Sequence, residues 1–360
     1  MASGVYVHIP FCIKKCNYCD FNSTDKMNYL KKDYKNALIN EIKAFDGETD
    51  ADTAFIGGGT PTSLEILDLT EIIGAVSLKF PKIKEFTVEV NPKTLDYDGF
   101  SALYKSGVNR ISFGVQSANN DELKVLGRIH TFEDFLKSYD DALKAGFENI
   151  NFDLMFSLPD QTKAKFKNTL DKILPLSPAH LSCYSLIIEE GTPFYNMKLN
   201  LPDEEIDREI YEYTVDRLQD CGYRQYEISN FARVNKECRH NIKYWKRENY
   251  YGFGAGACSL CDDIRYQNPC DIQDYINGGT VSAEELSLKD IESEYIFLGL
   301  RMTEGISLSD YEKRFGVPFT EKYKDILRKY ENMGLLTVND RCFLTLKGIS
   351  VSNTIMSEFV

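Results

Sequence analysis

No stretch of this sequence is apolar for long enough to span a bilayer, and its opening residues, MASGVYVHIP, place no charged segment ahead of a long apolar one. Neither a membrane helix nor a signal peptide is therefore expected, and a cytoplasmic location is. Positive charge is also short: 42 Lys and Arg face 55 Asp and Glu, for a formal net charge of -13. Such a surface repels nucleic acid and anionic membrane outside local basic patches, so no nucleic-acid partner is expected. There is one tryptophan, no low-complexity tract and no internal repeat beyond a β–α alternation. Disulfides are not expected either, although the chain holds ten cysteines. Without an export signal, and with three cysteines clustered at metal-ligand spacing, reduced thiols fit better. What is present is an ordinary globular balance, 43% hydrophobic and 27% charged, with room in 360 residues for one large domain and a smaller one.

The first two-thirds of the chain alternates short β-rich runs with longer amphipathic ones. Val5–Ile9, Ala54–Ile56, Glu85–Val90, Arg110–Val115, Asn149–Phe156 and Leu181–Ile188 read as strands. Tyr29–Phe45, Ser63–Leu78 and Ala164–Ile173 read as helices between them. Apolar strands separated by helices imply parallel βαβ units with right-handed crossovers. Six units predict an α/β fold, a partial (β/α)6 barrel rather than a closed eight-stranded one, with its chemistry at the C-terminal strand ends. After about residue 200 the alternation stops. Residues 202–221 read as an amphipathic helix, and Arg224–Cys270, dense in aromatics, Asn and Gly, as an irregular extension. Helical patterns return over Ala283–Leu300, Leu308–Phe315 and Phe319–Met333. Short strands around Leu335–Val338 and Cys342–Leu346 and a terminal helix follow. The expected organisation is a core over 1–230, an extension over 231–281, and a small, mostly helical, winged-helix-like C-terminal domain over 282–360. The acidic balance argues against DNA binding by that last part.

Cys12, Cys16 and Cys19 form a C-x3-C-x2-C run directly after the first strand pattern. Three thiolates at that spacing can hold one corner of a [4Fe–4S] cube and leave one iron open to a non-protein group. Buried structural thiols and a zinc site are the rival readings. Zinc wants a fourth ligand, and His8, four residues before Cys12, sits inside a strand pattern. The next position where a fourth thiol could fall is Phe21. The second motif, Phe55-Ile-Gly-Gly-Gly-Thr-Pro61, ends a strand with three glycines. Missing Cβ atoms let a ligand approach the backbone, whose N–H groups can face a charged group. Glu89, Gln116 and Asp153 then place polar groups at the ends of successive apolar strands. Each is costly there unless paired, and their recurrence suggests one shared polar ligand in the barrel mouth. Arg128, in LGRIHT, would add a positive charge for a ligand carboxylate.

The Cys run, the GGGTP segment and the strand-end Glu, Gln and Asp together resemble the radical S-adenosylmethionine proteins. YVHIPFC, VEVNP, FGVQS, LGR, FDLMFSLPDQT and EEGTPFY are similar to the oxygen-independent coproporphyrinogen III dehydrogenases, over essentially the whole chain. The resemblance implies that Cys12, Cys16 and Cys19 hold a [4Fe–4S] cluster whose open iron takes S-adenosylmethionine. It implies further that Tyr6, Tyr18, Gly58, Gly59, Thr60, Glu89, Gln116, Arg128 and Asp153 contact that cofactor, with Ile187 offering its backbone to the adenine.

Arg239-His-Asn-Ile-Lys-Tyr-Trp245 contains H-N-x-x-Y-W. By chemistry His240 is either a satisfied structural histidine or a haem ligand, with Tyr244 and Trp245 beside the macrocycle. The phrase resembles the HemW-type haem chaperones, which share the dehydrogenase fold, and so does Phe21 where the dehydrogenases carry a further Cys. Cys258 stands where the related phrase G-F-G-A-G-A-H-S has His. Cys258, Cys261 and Cys270 admit a second metal-site reading, and Cys183, Cys221, Cys238 and Cys342 read as buried or incidental thiols. The resemblance thus implies a haem chaperone that passes haem to an unidentified acceptor protein. A homodimer and a weak, transient membrane association stay open. The alternatives are radical decarboxylation of coproporphyrinogen III propionates, or a plain iron–sulfur electron carrier.

Overall fold

The computed structural model describes residues 2–360. Six strands, β1 (Gly4–Ile9), β2 (Thr53–Gly58), β3 (Glu85–Val90), β4 (Arg110–Gln116), β5 (Ile150–Phe156) and β6 (His180–Ser185), lie side by side in chain order and parallel. Side-chain alternation gives the sheet an apolar outer face and a polar inner one. Val5, Val7 and Ile9 of β1, Ile111, Phe113 and Val115 of β4, and Phe152, Leu154 and Phe156 of β5 are buried in one apolar core with the crossover helices. Ser112, Gln116 and Asp153, one residue out of phase, line the barrel interior instead. The predicted partial (β/α)6 barrel is thus observed, with strand limits within three residues of those read from the pattern.

Residues 224–270 are more regular than their composition suggests. β7 (Arg224–Glu227) and β8 (Asn230–Ala232) continue the sheet antiparallel beyond β6. β9 (Tyr250–Phe253) pairs parallel to β1, and β10 (Cys258–Cys261), β11 (Ile264–Gln267) and β12 (Ser282–Glu285) extend that edge to twelve strands in all. β12 falls where the periodicity predicts the start of a helix. The open edge of β11 supplies backbone partners, and tertiary pairing overrides local propensity. The helix begins only at Leu288, behind a capping box of Ser287 and Asp290, and runs to Arg301.

The short helix Arg239–Trp245 lies across the N-terminal ends of the first three strands. The Arg239 and His240 N–H groups donate to the Glu85 carboxylate at 3.1 and 2.9 Å, a negative charge at a helix start. On its other side Arg301 stacks 4.4 Å from the Trp245 ring and pairs with Glu227 at 3.0 Å. A second apolar core, around Ile296, Leu300, Tyr311, Phe319 and Leu327, unites the C-terminal helices with a small sheet of β13 (Ile306–Ser307), β14 (Leu336–Val338) and β15 (Arg341–Leu344). The predicted helix over Phe319–Met333 is broken at Tyr323, whose hydroxyl reaches Glu292 at 3.0 Å. Among the described residues no helix is long and apolar enough to cross a membrane.

Candidate cofactor site

A cavity of about 500 Å³ opens at the C-terminal ends of the parallel strands, within the range of single small-molecule sites. The loop after β1 brings Cys12, Cys16, Tyr18 and Cys19 to one wall. The loop after β2 brings Gly58, Gly59 and Thr60, and the strands contribute Glu89, Gln116 and Asp153. Arg128 and Ile187 complete the set, so twelve of the fourteen expected residues share one cavity.

The glycines are there for space. A Cβ on Gly59 would lie 2.8 Å from the Phe11 carbonyl oxygen and 3.0 Å from that of Ile9, and Gly58 takes φ +109°. The Cys and Gly loops are laced together, because Gly59 N–H donates to Ile9 O and Thr60 N–H to Phe11 O, both at 2.8 Å. Each thiol wall position also meets a donor. The Thr60 hydroxyl lies 3.7 Å from Cys12 Sγ, and Arg128 Nη1 lies 3.4 Å from Cys16 Sγ. Burial pushes the Cys12 and Cys19 thiols up, opposed by the hydroxyls of Thr60 and Ser23 for the first and by the Phe21 backbone and the Ser23 hydroxyl for the second. Among the described residues no three His, Cys, Asp or Glu side chains converge on a point that could hold a single metal ion. An all-sulfur set spread along one cavity wall, facing a cationic donor, fits a multi-iron cube whose thiolates bind different irons.

Glu89 and Asp153 are a buried pair with unequal support. Glu89 accepts one backbone bond, from Gly58 N–H at 3.1 Å. Burial, with Asp153 nearby, pushes it up to about 8. Asp153 is also raised by burial, but hydrogen bonds from Asn151 and Ser112 oppose that rise. Gln116 holds φ +66°, a strained backbone for a non-glycine residue, and its Oε1 accepts from Tyr184 at 3.2 Å. Asn91 is a site residue that motif reading passed over. Its Nδ2 donates to Thr60 Oγ1 at 2.7 Å and its Oδ1 accepts from Arg128 at 2.5 Å. The signal was present, since Asn91 follows Glu89 by two and keeps the inward phase.

Two expected residues lie elsewhere. Tyr6 sits below the cavity, with its hydroxyl 2.9 Å from His8 Nδ1, so it supports the glycine turn through His8 rather than lining the site. His240 lies outside the cavity lining, with both ring nitrogens partnered. It is 1% exposed, Nδ1 meets Thr53 Oγ1 at 3.0 Å, and Nε2 meets the Tyr244 hydroxyl at 2.8 Å. Burial, aided by Lys243 and Arg110, lowers it to about 3, so it is neutral with both nitrogens engaged. It fastens its helix to the barrel floor, where the neighbouring Asn241 reaches the cavity.

Residues 6–173 match the Radical SAM superfamily and residues 286–351 the HemN C-terminal domain. The chain is 38% identical to the heme chaperone HemW of Bacillus subtilis (strain 168), over 99% of each chain. It is 38% identical to the heme chaperone HemW of Lactococcus lactis subsp. lactis (strain IL1403), over 99% of this chain and 97% of that one. The solved structure of coproporphyrinogen III oxidase (HemN) from Escherichia coli superposes with a TM-score of 0.87 at 24% identity, over 99% of this chain and 90% of that one. That likeness establishes the shared fold.

Proposed function

From a chain that belongs to the radical S-adenosylmethionine superfamily and, within it, to the HemW family of haem chaperones, we propose a protein that binds haem and hands it to an acceptor protein. Cys12, Cys16 and Cys19 would hold three irons of a [4Fe–4S] cluster, leaving the fourth for S-adenosylmethionine. When bound and reduced, such a cluster supplies an electron able to cleave the sulfonium of S-adenosylmethionine. The chain's own residues do the holding. Thr60 and Arg128 donate toward the thiolates of Cys12 and Cys16. The bare backbone at Gly58 and Gly59 admits the ligand closely, and Glu89, Gln116 and Asp153 face its polar groups.

The observation that carries the carrier reading is end-to-end identity to haem chaperones at 38%. Lys14 and Arg128 are the cavity's lining cations, against Asp20, Glu89, Asp153 and Glu189. Arg128 is already committed to Asn91, Gly114 and Cys16. Haem and coproporphyrinogen III both carry propionates, so this lining charge weighs equally on the two readings. Haem is cargo in this reading, and His240 could ligate its iron only if Nε2 released Tyr244 or Nδ1 released Thr53. An acceptor protein, a homodimer and a transient membrane contact belong to the same proposal.

Haemin titrated anaerobically into the cluster-reconstituted full-length protein should shift the Soret band, and an unshifted spectrum would overturn the carrier reading. Incubation with coproporphyrinogen III, S-adenosylmethionine and reductant should leave the substrate intact. Protoporphyrinogen formation would put the enzyme reading in its place.

A further inference from the structure

Beneath the cavity lies a buried hydrogen-bond chain that the cofactor reading does not use. Adjacent strands β4, β5 and β6 stack two inward layers: Ser112, Asn151 and His180 in register, and above them Gly114, Asp153 and Ser182. Asn151 is 2% exposed and His180 1%. Each bond has one allowed direction. An amide nitrogen can only donate, so Asn151 Nδ2 donates to Asp153 Oδ1 at 2.8 Å and to Ser112 Oγ at 2.8 Å, which leaves the Ser112 proton for Asp153 Oδ2 at 3.1 Å. Asn151 Oδ1 must then accept, from His180 Nδ1–H at 2.5 Å and from Ser182 at 3.3 Å. With Nδ1 protonated, His180 Nε2 accepts from the Tyr226 hydroxyl at 2.8 Å, and that oxygen accepts from Cys238 N–H at 3.3 Å. Cys238 immediately precedes the helix Arg239–Trp245. Every donor in the chain thus points toward Asp153, and successive bonds in a dry interior polarise one another.

We infer that Asn151 and His180 are positioning residues that hold Asp153 as an ionised acceptor for the hydroxyl groups of a nucleoside-bearing ligand, through a chain that begins at the helix carrying His240. The inference rests on the cofactor reading above. Glu89 of β3 is the contrast, with one backbone donor where Asp153 has two or more. The charged and titratable groups facing Asp153 are Glu89 from β3, Arg110 from β4, and Cys183 and Tyr184 from β6. Burial, and then Arg110, disfavour a second proton on His180, whose acceptor nitrogen must stay bare for the chain to close. Docking of the Arg239–Trp245 helix completes the chain, so the cavity and the H-N-x-x-Y-W segment are joined by hydrogen bonds as well as by packing.

The test uses full-length, cluster-reconstituted protein with S-adenosylhomocysteine, which carries the nucleoside, and L-methionine, which lacks it. Asn151→Leu and His180→Phe should weaken S-adenosylhomocysteine roughly tenfold, the effect of leaving a buried acceptor short of a donor, and leave methionine unchanged. Both should move the acid limb of S-adenosylhomocysteine binding upward by about one pH unit or more. His180→Gln, which keeps a donor and an acceptor, should restore most of the affinity, and Tyr226→Phe should fall between. Wild-type affinity and pH profile in Asn151→Leu and Tyr226→Phe would overturn the inference, as would equal loss of both ligands, which marks a packing defect. Failure of the wild type itself to bind S-adenosylhomocysteine would instead remove the cofactor reading on which it rests.

Discussion

Replacing Glu89 by Gln isolates the least supported charge in the barrel. Folded Glu89 titrates at about 8, raised first by burial and then by Asp153, against 4.5 as its ordinary value. The folded state therefore binds this proton more tightly than the unfolded state does. Stability from this group is greatest below about pH 4.5 and is lost progressively as pH rises toward 8. The slope is about 1.4 kcal/mol per pH unit, with a total of at most about 5 kcal/mol across the window. Glutamine keeps the shape and an oxygen to accept from Gly58 N–H, but it has no proton to lose. Urea unfolding of cluster-free protein, followed by the single Trp245, should give similar stabilities for wild type and Glu89→Gln near pH 4.5. By pH 8.5 the variant should be more stable by several kcal/mol, at most about 5 kcal/mol. Parallel loss of stability in both proteins would mean that Glu89 is already ionised when folded, and the unequal acid pair would be wrong.

Serine at Cys12, Cys16 or Cys19 should abolish bound iron and sulfide in anaerobic reconstitution, whereas serine at Cys258, Cys261 or Cys270 should leave both at wild-type content; iron and sulfide analysis separates the two sets. Gly59→Ala forces a Cβ to within 2.8 Å of a backbone oxygen in a loop pinned on both sides, so a loss of about 2 kcal/mol or more is expected, visible as a lower melting temperature and poorer cluster retention. His240→Ala leaves Thr53 and Tyr244 without buried partners and should cost about 3 kcal/mol. Thermal melts beside haemin titrations will show whether its effect on haem exceeds its effect on folding, and an unchanged melting temperature would contradict the fastening role.

The extent to which the fold could be read in advance follows from how local each signal is. The six parallel strands carry period-two alternation within each segment, so Ile111, Phe113 and Val115 announce one face and Ser112 and Gln116 the other. The C-x3-C-x2-C run and the GGGTP turn are likewise local, and their chemistry follows from residue type and spacing. β12 is not legible in the sequence because its four exposed residues have no stripe of their own and become a strand only through the waiting edge of β11.

What the sequence by itself determined is the material of the site: soft sulfur ligands on one loop, bare backbone on the next, and polar groups at strand ends. Tertiary structure alone decided what those groups can do. His240 has the residue type of an iron ligand, but Thr53 and Tyr244 take both of its nitrogens, and one partner is 187 residues away. Asn151 and His180 belong to different strands 29 residues apart, and only parallel pairing in register turns them into one chain directed at Asp153. Hydrogen-bond direction, burial and lone-pair availability are properties of neighbours in space, and no local spacing encodes them.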